Sequence, residues 1–329
     1  MTSVAFGVGL FGTEPVRTLV SLARLAESLG YDTVWIGDSH LIWREAYVTL
    51  TACALATERV RLGTAVTNAL TRDSSVTASA FQTLQELVPG RTMLGIGLGD
   101  SAVRTVGAKP ATLKMLETVI DEIRRLQEGQ TVPRDGAPLR LLAASPATRV
   151  PIYIAGSGPK LLELGGRVAD GVIMLVGVDP EFIAAGVAAV RRGEAAAGKA
   201  PGSVRVVLWT PCAIGSDPAS LGLVKSHIAR IIIRPLPVPL DPVEQEVARR
   251  ITAEYDYYRH MDVRSDHGAL VPDALVPRWA LAGDPASYGE TVRRAAALGV
   301  DEIAIIPYVP LGSDRATVLT TFARDVMSR

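Results

Sequence analysis

The chain has 329 residues, of which 48% are hydrophobic and 21% charged, and its 34 Lys and Arg balance its 34 Asp and Glu. That length and apolar content exclude disorder and allow a large core, in one barrel or two ordinary domains. The balanced charge supplies no field to recruit nucleic acid or an anionic membrane, so small molecules are the expected partners.

The opening segment, MTSVAFGVGLFG, has neither a basic start nor a small-residue cleavage site, so it reads as a first strand and not as a signal peptide. No apolar run reaches the roughly 18 residues of a membrane span. Eight short runs rich in apolar or β-branched residues follow one another at 4–10, 33–37, 60–66, 92–97, 151–155, 171–175, 204–209 and 302–307. Segments of helical period separate them at 15–29, 46–57, 74–87, 112–127, 159–168 and 180–197. In the first of these, Leu19, Leu22, Ala23, Leu25, Ala26 and Leu29 share a face, and Gly30 stops the helix.

Strands alternating with helices predict βα units and a parallel sheet. A doubly wound sheet usually carries a glycine fingerprint in its first turn, and FGVGLFGTEP is not GxGxxG. The expected fold is therefore a (β/α)8 TIM barrel, one domain over residues 1–329, with insertions near 128–149 and 231–279. The second insertion is rich in Pro, charge and Tyr. It is either a lid or substrate wall, or a surface excursion.

In such barrels the active site lies where the strands end, at their C-terminal rim. There the chain reads Gly37-Asp38-Ser39-His40 after the second run, Thr67-Asn68 after the third, Gly97-Leu98-Gly99-Asp100-Ser101 after the fourth and Gly156-Ser157-Gly158-Pro159-Lys160 after the fifth. Glycines admit close approach to a ligand, and Asp, Asn, Ser and Thr supply directional hydrogen bonds. The Gly156 to Lys160 turn opens a helix, so it is either an anion site at the helix N-terminus or an ordinary Ser-capped start.

The four histidines, His40, His227, His260 and His267, form no HxH or HExxH, and no catalytic metal is expected. His40, at the rim beside Asp38, reads either as a proton donor or acceptor or as a structural residue. His227 reads as a packed or solvated helical residue, while His260 and His267 either reach the substrate or lie at the surface. Trp43 walls the pocket or simply begins a helix. No GxSxG supports acyl transfer, five lysines leave little scope for Schiff-base chemistry, and Cys53 and Cys212 without a CxxC fit a reduced, cytoplasmic setting.

The motifs VRLGTAVTN at 60–68, Thr71-Arg72, Gly90-Arg91, LGIGLGDSA at 94–102, GSGPKLLEL at 156–164 and Ala169-Asp170-Gly171 resemble the luciferase-like flavin and deazaflavin oxidoreductases. Within them the F420-dependent branch typified by methylenetetrahydromethanopterin reductase is the most similar. The resemblance is specific through residue 175, weaker at 282–285 and 299–303, and absent in the middle of the long insertion. It implies a barrel that binds coenzyme F420, an 8-hydroxy-5-deazaflavin, or alternatively FMN.

It further implies a non-prolyl cis peptide at Ala65–Val66, Thr67 and Asn68 at the ring edge, and Gly97, Gly99 and Asp100 along the other side. Gly156, Ser157, Gly158, Pro159 and Lys160 would take the phosphate, and Asp38 and His40 would assist hydride transfer. A homodimer through the second and third helices, around Leu50, Cys53, Leu55, Phe81 and Leu84, is implied as well, although burial in the barrel shell explains the same residues. Two departures stand out: Asn68 is followed by Ala-Leu-Thr-Arg and not by a proline and an Arg-His-Pro run, and the first strand lacks the carboxylate of pterin-reducing members. A pterin is therefore not the expected substrate.

The resulting expectation is an F420-dependent oxidoreductase that passes hydride to a C=C, C=N or C=O centre of a small organic substrate. His40 would supply or organise the proton, and Trp43, His260 and His267 would contact the substrate. The alternatives are an FMN monooxygenase and a non-catalytic flavin- or deazaflavin-binding protein.

Overall fold

A computed structural model describes residues 4–144, 149–215 and 219–328. All eight expected strands form within it: β1 (Ala5–Leu10), β2 (Thr33–Ile36), β3 (Arg61–Thr64), then, past a two-residue β4 (Thr67–Asn68), β5 (Thr92–Gly97), β6 (Ile152–Gly156), β7 (Gly171–Met174), β8 (Arg205–Ile214), and, after the short β9 (Leu281–Gly283), β10 (Glu302–Pro307). Their residues are almost all buried, as unbroken apolar runs require when both faces of a strand are covered. Every pairing among them is parallel, and β10 pairs with both β1 and β8, which closes the barrel.

Side chains fill the barrel where nearby strands carry glycine. Trp35 on β2 is fully buried, and a Cβ on Gly63 of β3 would lie 2.5 Å from its ring. Trp209 on β8 likewise occupies the space that a side chain on Gly9 of β1 would need, 2.4 Å from its ring. Glu302, at the start of β10, is buried among Trp35 Nε1 at 2.9 Å, the Thr33 hydroxyl at 3.1 Å and Arg61 at 3.3 Å.

The outer shell follows the helical periods: α1 (Val16–Ser28), α2 (Ala46–Leu55), α3 (Ser74–Leu87), α4 (Ser101–Arg104), α5 (Leu113–Gln127), α6 (Pro159–Val168) and α7 (Pro180–Ala196). Leu19, Leu22, Ala23 and Ala26 form the buried face of α1. Asp73 caps α3 by accepting from Ser75 N, and Thr112 caps α5 by accepting from Met115 N.

The long stretch after β8 is less irregular than its composition suggests. The helix α8 (Ala219–Ile232) runs into it, and α9 (Pro242–Glu254) begins at a capping box formed by Asp241 and Glu244. In the first insertion the described residues make one antiparallel bridge, Val132 to Leu139; residues 145–148 of that segment lie outside the described residues. Cys53 and Cys212 are free and buried. Among the described residues no helix is long and apolar enough to cross a membrane, and no group of three or more His, Cys, Asp or Glu is placed to hold a metal.

Candidate active site

The strand ends converge on one cavity of about 740 Å³ at the C-terminal mouth of the barrel. Its floor is shaped by the way β3 stops. The peptide Ala65–Val66 is cis, and the chain then resumes pairing through β4, with Thr67 opposite Ile96 and Asn68 opposite Gly97. Beneath it the Thr64 hydroxyl donates to Gly95 O at 2.7 Å, and Thr64 O comes so near that a Cβ on Gly95 would stand 1.9 Å from it, which only glycine permits. Past β5, Gly99 holds φ at +87°, a left-handed conformation that turns the chain toward Asp100 and α4.

The first polar wall comes from β2 and β4. Asp38 is buried and bound to Arg72 at 2.6 Å; Arg72 also reaches Glu45 and lies 4.2 Å from the centre of the Tyr47 ring. Burial opposes the Arg72 charge, but Asp38 outweighs it and raises the guanidinium further above its ordinary value. Ser39 is buried against Ser101, hydroxyl to hydroxyl. The Asn68 amide serves its own turn, accepting from Leu70 N and Thr71 N at 3.0 and 2.8 Å, and the Thr67 hydroxyl accepts from Tyr47 at 3.2 Å and from Arg72 at 3.3 Å.

The second polar wall is built by α8 and the segment after α9. Arg230 donates to Asp100 Oδ2, Arg234 donates to the same oxygen at 2.9 Å, and Arg104 reaches Oδ1 at 3.3 Å. Burial would raise the Asp100 carboxyl, but Arg234 and Arg230 hold it down at about 2. Beside this cluster, His260 Nδ1 is 2.6 Å from the Tyr255 hydroxyl and His227 Nδ1 is 3.1 Å from that of Tyr308. Burial keeps both imidazoles neutral: His260 falls well below its ordinary value, and His227, further depressed by Arg234 and Arg230, to about 3.

The third side is the β6–α6 junction, where Gly156, Ser157, Gly158, Pro159 and Lys160 all border the cavity. Ser157 does not cap the helix; its hydroxyl donates to Pro235 O at 2.8 Å, and the N-cap Gly158 has no side-chain acceptor, so α6 opens on the cavity without a cap of its own. An aromatic side closes the set, with Phe11 and Trp43 4.6 Å apart between ring centres and Trp209 6.3 Å from Phe11.

The structure thus brings together Asp38, Trp43, Ala65, Val66, Thr67, Asn68, Gly97, Gly99, Asp100, the Gly156 to Lys160 turn and His260. It does not bring His40, whose side chain is exposed and outside the cavity lining; the buried Ser39 stands there instead. His267 is buried behind the wall, its ring 4.3 Å from that of Tyr255, and does not line the cavity. His227, read as a packed or solvated helical residue, is packed and also borders the cavity. Sequence reading missed Arg104, Arg230, Arg234, Phe11 and Trp209. The glycines of β1 carried a usable signal for Trp209, since a strand that alternates glycine inside a barrel leaves room for a large neighbour.

A closed (β/α)8 barrel with this mouth defines the class: residues 1–302 match the family described as luciferase-like monooxygenase, and the chain belongs to that family. It is 29% identical to the 5,10-methylenetetrahydromethanopterin reductase of Methanolobus tindarius, covering 98% of this chain and all of the relative. It is also 29% identical to the F420-dependent glucose-6-phosphate dehydrogenase of Nocardia farcinica, over 95% of this chain and 94% of that one. The fold matches the coenzyme F420-dependent tetrahydromethanopterin reductase of Methanopyrus kandleri with a TM-score of 0.82, covering 99% of each chain at 22% identity.

Proposed function

We propose that the protein is an F420-dependent oxidoreductase that transfers hydride between the deazaflavin and an unsaturated C=C, C=N or C=O centre of a small organic molecule. The observation that carries the reading is the convergence of the β3–β4 bulge, the β5–α4 turn and the uncapped start of α6 on one cavity, in a chain that is similar over nearly its whole length to an enzyme and to a solved structure named as F420-dependent. When bound, F420 supplies a hydride carrier.

The residues present fit such a group. Val66, Ala155, Ile173 and Leu175 offer an apolar slot for a flat ring, and Thr67, Asn68, Gly97, Gly99 and Asp100 border it together from the paired β4 and β5 ends, Asn68 lying beside Gly97 and not across the slot from it. A Cβ on Gly97 would crowd Val66 at 3.2 Å and narrow that slot. The α6 start, with Lys160 beside it, receives the phosphate on backbone N–H groups and the helix dipole.

The proton-side chemistry is assigned to His260. The Tyr255 hydroxyl is 2.6 Å from Nδ1; in the tautomer where it donates there, the neutral ring carries its proton on Nε2, a donor for the acceptor atom of the substrate. Asp38, held by Arg72, and Asp100, held ionised by its arginines, shape the field of the site and hold no proton at neutral pH in the case of Asp100. Trp43, with Phe11, walls the substrate side and excludes water. His267 positions the Tyr255 ring from behind.

The chain acts as one domain, supported by first and last strands that complete the same barrel. It pairs with a second copy through α2 and α3: Leu50, Cys53, Phe81 and Leu84 are taken up by the shell, but Val48 and Leu55 remain 64% and 66% exposed beside a shallow apolar groove.

The test is oxidation of reduced F420 under anaerobic conditions with a panel of enones, imines and ketones. Saturable turnover is expected with at least one substrate, falling roughly 100-fold in His260→Phe while His40→Ala stays within about twofold of the parent. Loss of activity in His40→Ala with an unaffected His260→Phe would reverse the assignment, and turnover that requires oxygen and FMN would favour the monooxygenase.

A further inference from the structure

We infer that Arg230 and Arg234 form a recognition site for an anionic group, a carboxylate or a phosphate, on the substrate. This deepens the oxidoreductase reading and rests on it for the identity of the cavity's other occupant.

The anionic side chains bordering the cavity are Asp38 and Asp100, and Asp38 is already matched by Arg72. Around Asp100 stand three guanidinium groups, those of Arg104, Arg230 and Arg234, so one carboxylate faces three cations. The nearby histidines are neutral and add nothing to either side.

Arg104 is 41% exposed and its charge is met by water, but the Arg230 side chain is only 10% exposed and that of Arg234 23%, so two poorly solvated cations share one carboxylate. Burial and the proximity of Arg230 lower Arg234 to about 10, the response of a cation short of counter-charge. Its Nη2 is used by Asp100, which leaves Nη1 without a carboxylate partner among the described residues.

The site adjoins the one offered to the cofactor phosphate, since Pro235, next to Arg234, accepts from the Ser157 hydroxyl at 2.8 Å, but the donors differ. The α6 start has its own backbone donors and Lys160, whereas the arginines converge on Asp100 from α8 and its extension, on the wall that also carries His260. Arginine at both positions suits planar, two-pronged recognition of an oxyanion. The substrate then carries its anionic group on the side of the cavity built by 230–261.

The experiment titrates the F420-loaded protein with charged and neutral pairs, benzoate against benzamide and phenyl phosphate against its neutral dimethyl ester, followed by calorimetry and F420 fluorescence. At least one anion is expected to bind tenfold or more tightly than its neutral partner. In Arg234→Met, which leaves Arg230 and Arg104 on Asp100, that preference should vanish with F420 affinity within twofold of the parent, and Arg234→Lys should restore part of it. Equal binding of charged and neutral probes to the parent protein overturns the inference. So does a tenfold loss of F420 affinity in Arg234→Met, which would assign the arginines to the cofactor. Should F420 itself not bind, the proposed function fails, while the same titrations on the cofactor-free protein still decide whether the arginines prefer anions.

Discussion

Asp100 is the residue on which most of the site's electrostatics depends. Its carboxyl is held at about 2, below the ordinary value of about 3.9, so its pairing with Arg230 and Arg234 contributes fully above about pH 4 and is lost as the pH falls toward 2. The contribution is roughly 2–3 kcal/mol. Asp100→Asn is therefore expected to lower stability by about that amount at pH 7, with the two proteins converging as the pH falls to about 2; urea unfolding across that range checks it, and a constant difference at all pH values would contradict it. Residue-scale roles were only partly legible. Asp38, Ser39 and His40 are consecutive, but alternation fixes side-chain direction only inside a strand, and the chain leaves β2 at Ile36. Which of the three faces the cavity is decided by the turn, and the turn buries Asp38 and Ser39 while exposing His40.

At the scale of elements, the eight strands could be read because each is a buried run bounded by polar or glycine residues, and β5 and β10 begin and end where the pattern puts them. The α8–α9 region was harder. Its helices carry apolar, basic and proline residues in close mixture, and the signal for α9 is a cap, Asp241 with Glu244, more than a periodic face. The converging arginines were invisible for a different reason: Asp100 and Arg230 are far apart in sequence and meet only because α8 packs over the barrel mouth. The junction of β6 with α6 was legible in outline, as a helix start at the rim, although which partner Ser157 takes is settled by Pro235. Since Lys160 is exposed, reversing its charge should leave the fold intact. Lys160→Glu is expected to weaken F420 binding about tenfold, some 1.4 kcal/mol, with unchanged thermal unfolding; unaltered affinity would remove the phosphate from that turn.

For the whole molecule, the closed sheet gives the site a rigid frame and leaves its chemistry to the rim, which explains why one barrel family accommodates differently named reactions. The exposed apolar residues Val48 and Leu55 on α2 have no use inside the frame. Replacing both by Glu is expected to halve the mass seen by light scattering without loss of folded signal; an unchanged mass would place the contact elsewhere or leave the protein monomeric.

The central claim is the identity of the cofactor, and binding of F420 and FMN to the same purified protein tests it most directly. Following the absorbance and fluorescence of each, the account predicts micromolar or tighter affinity for F420 and at least tenfold weaker binding of FMN. Equal or tighter binding of FMN would contradict it and move the protein to oxygen-dependent chemistry.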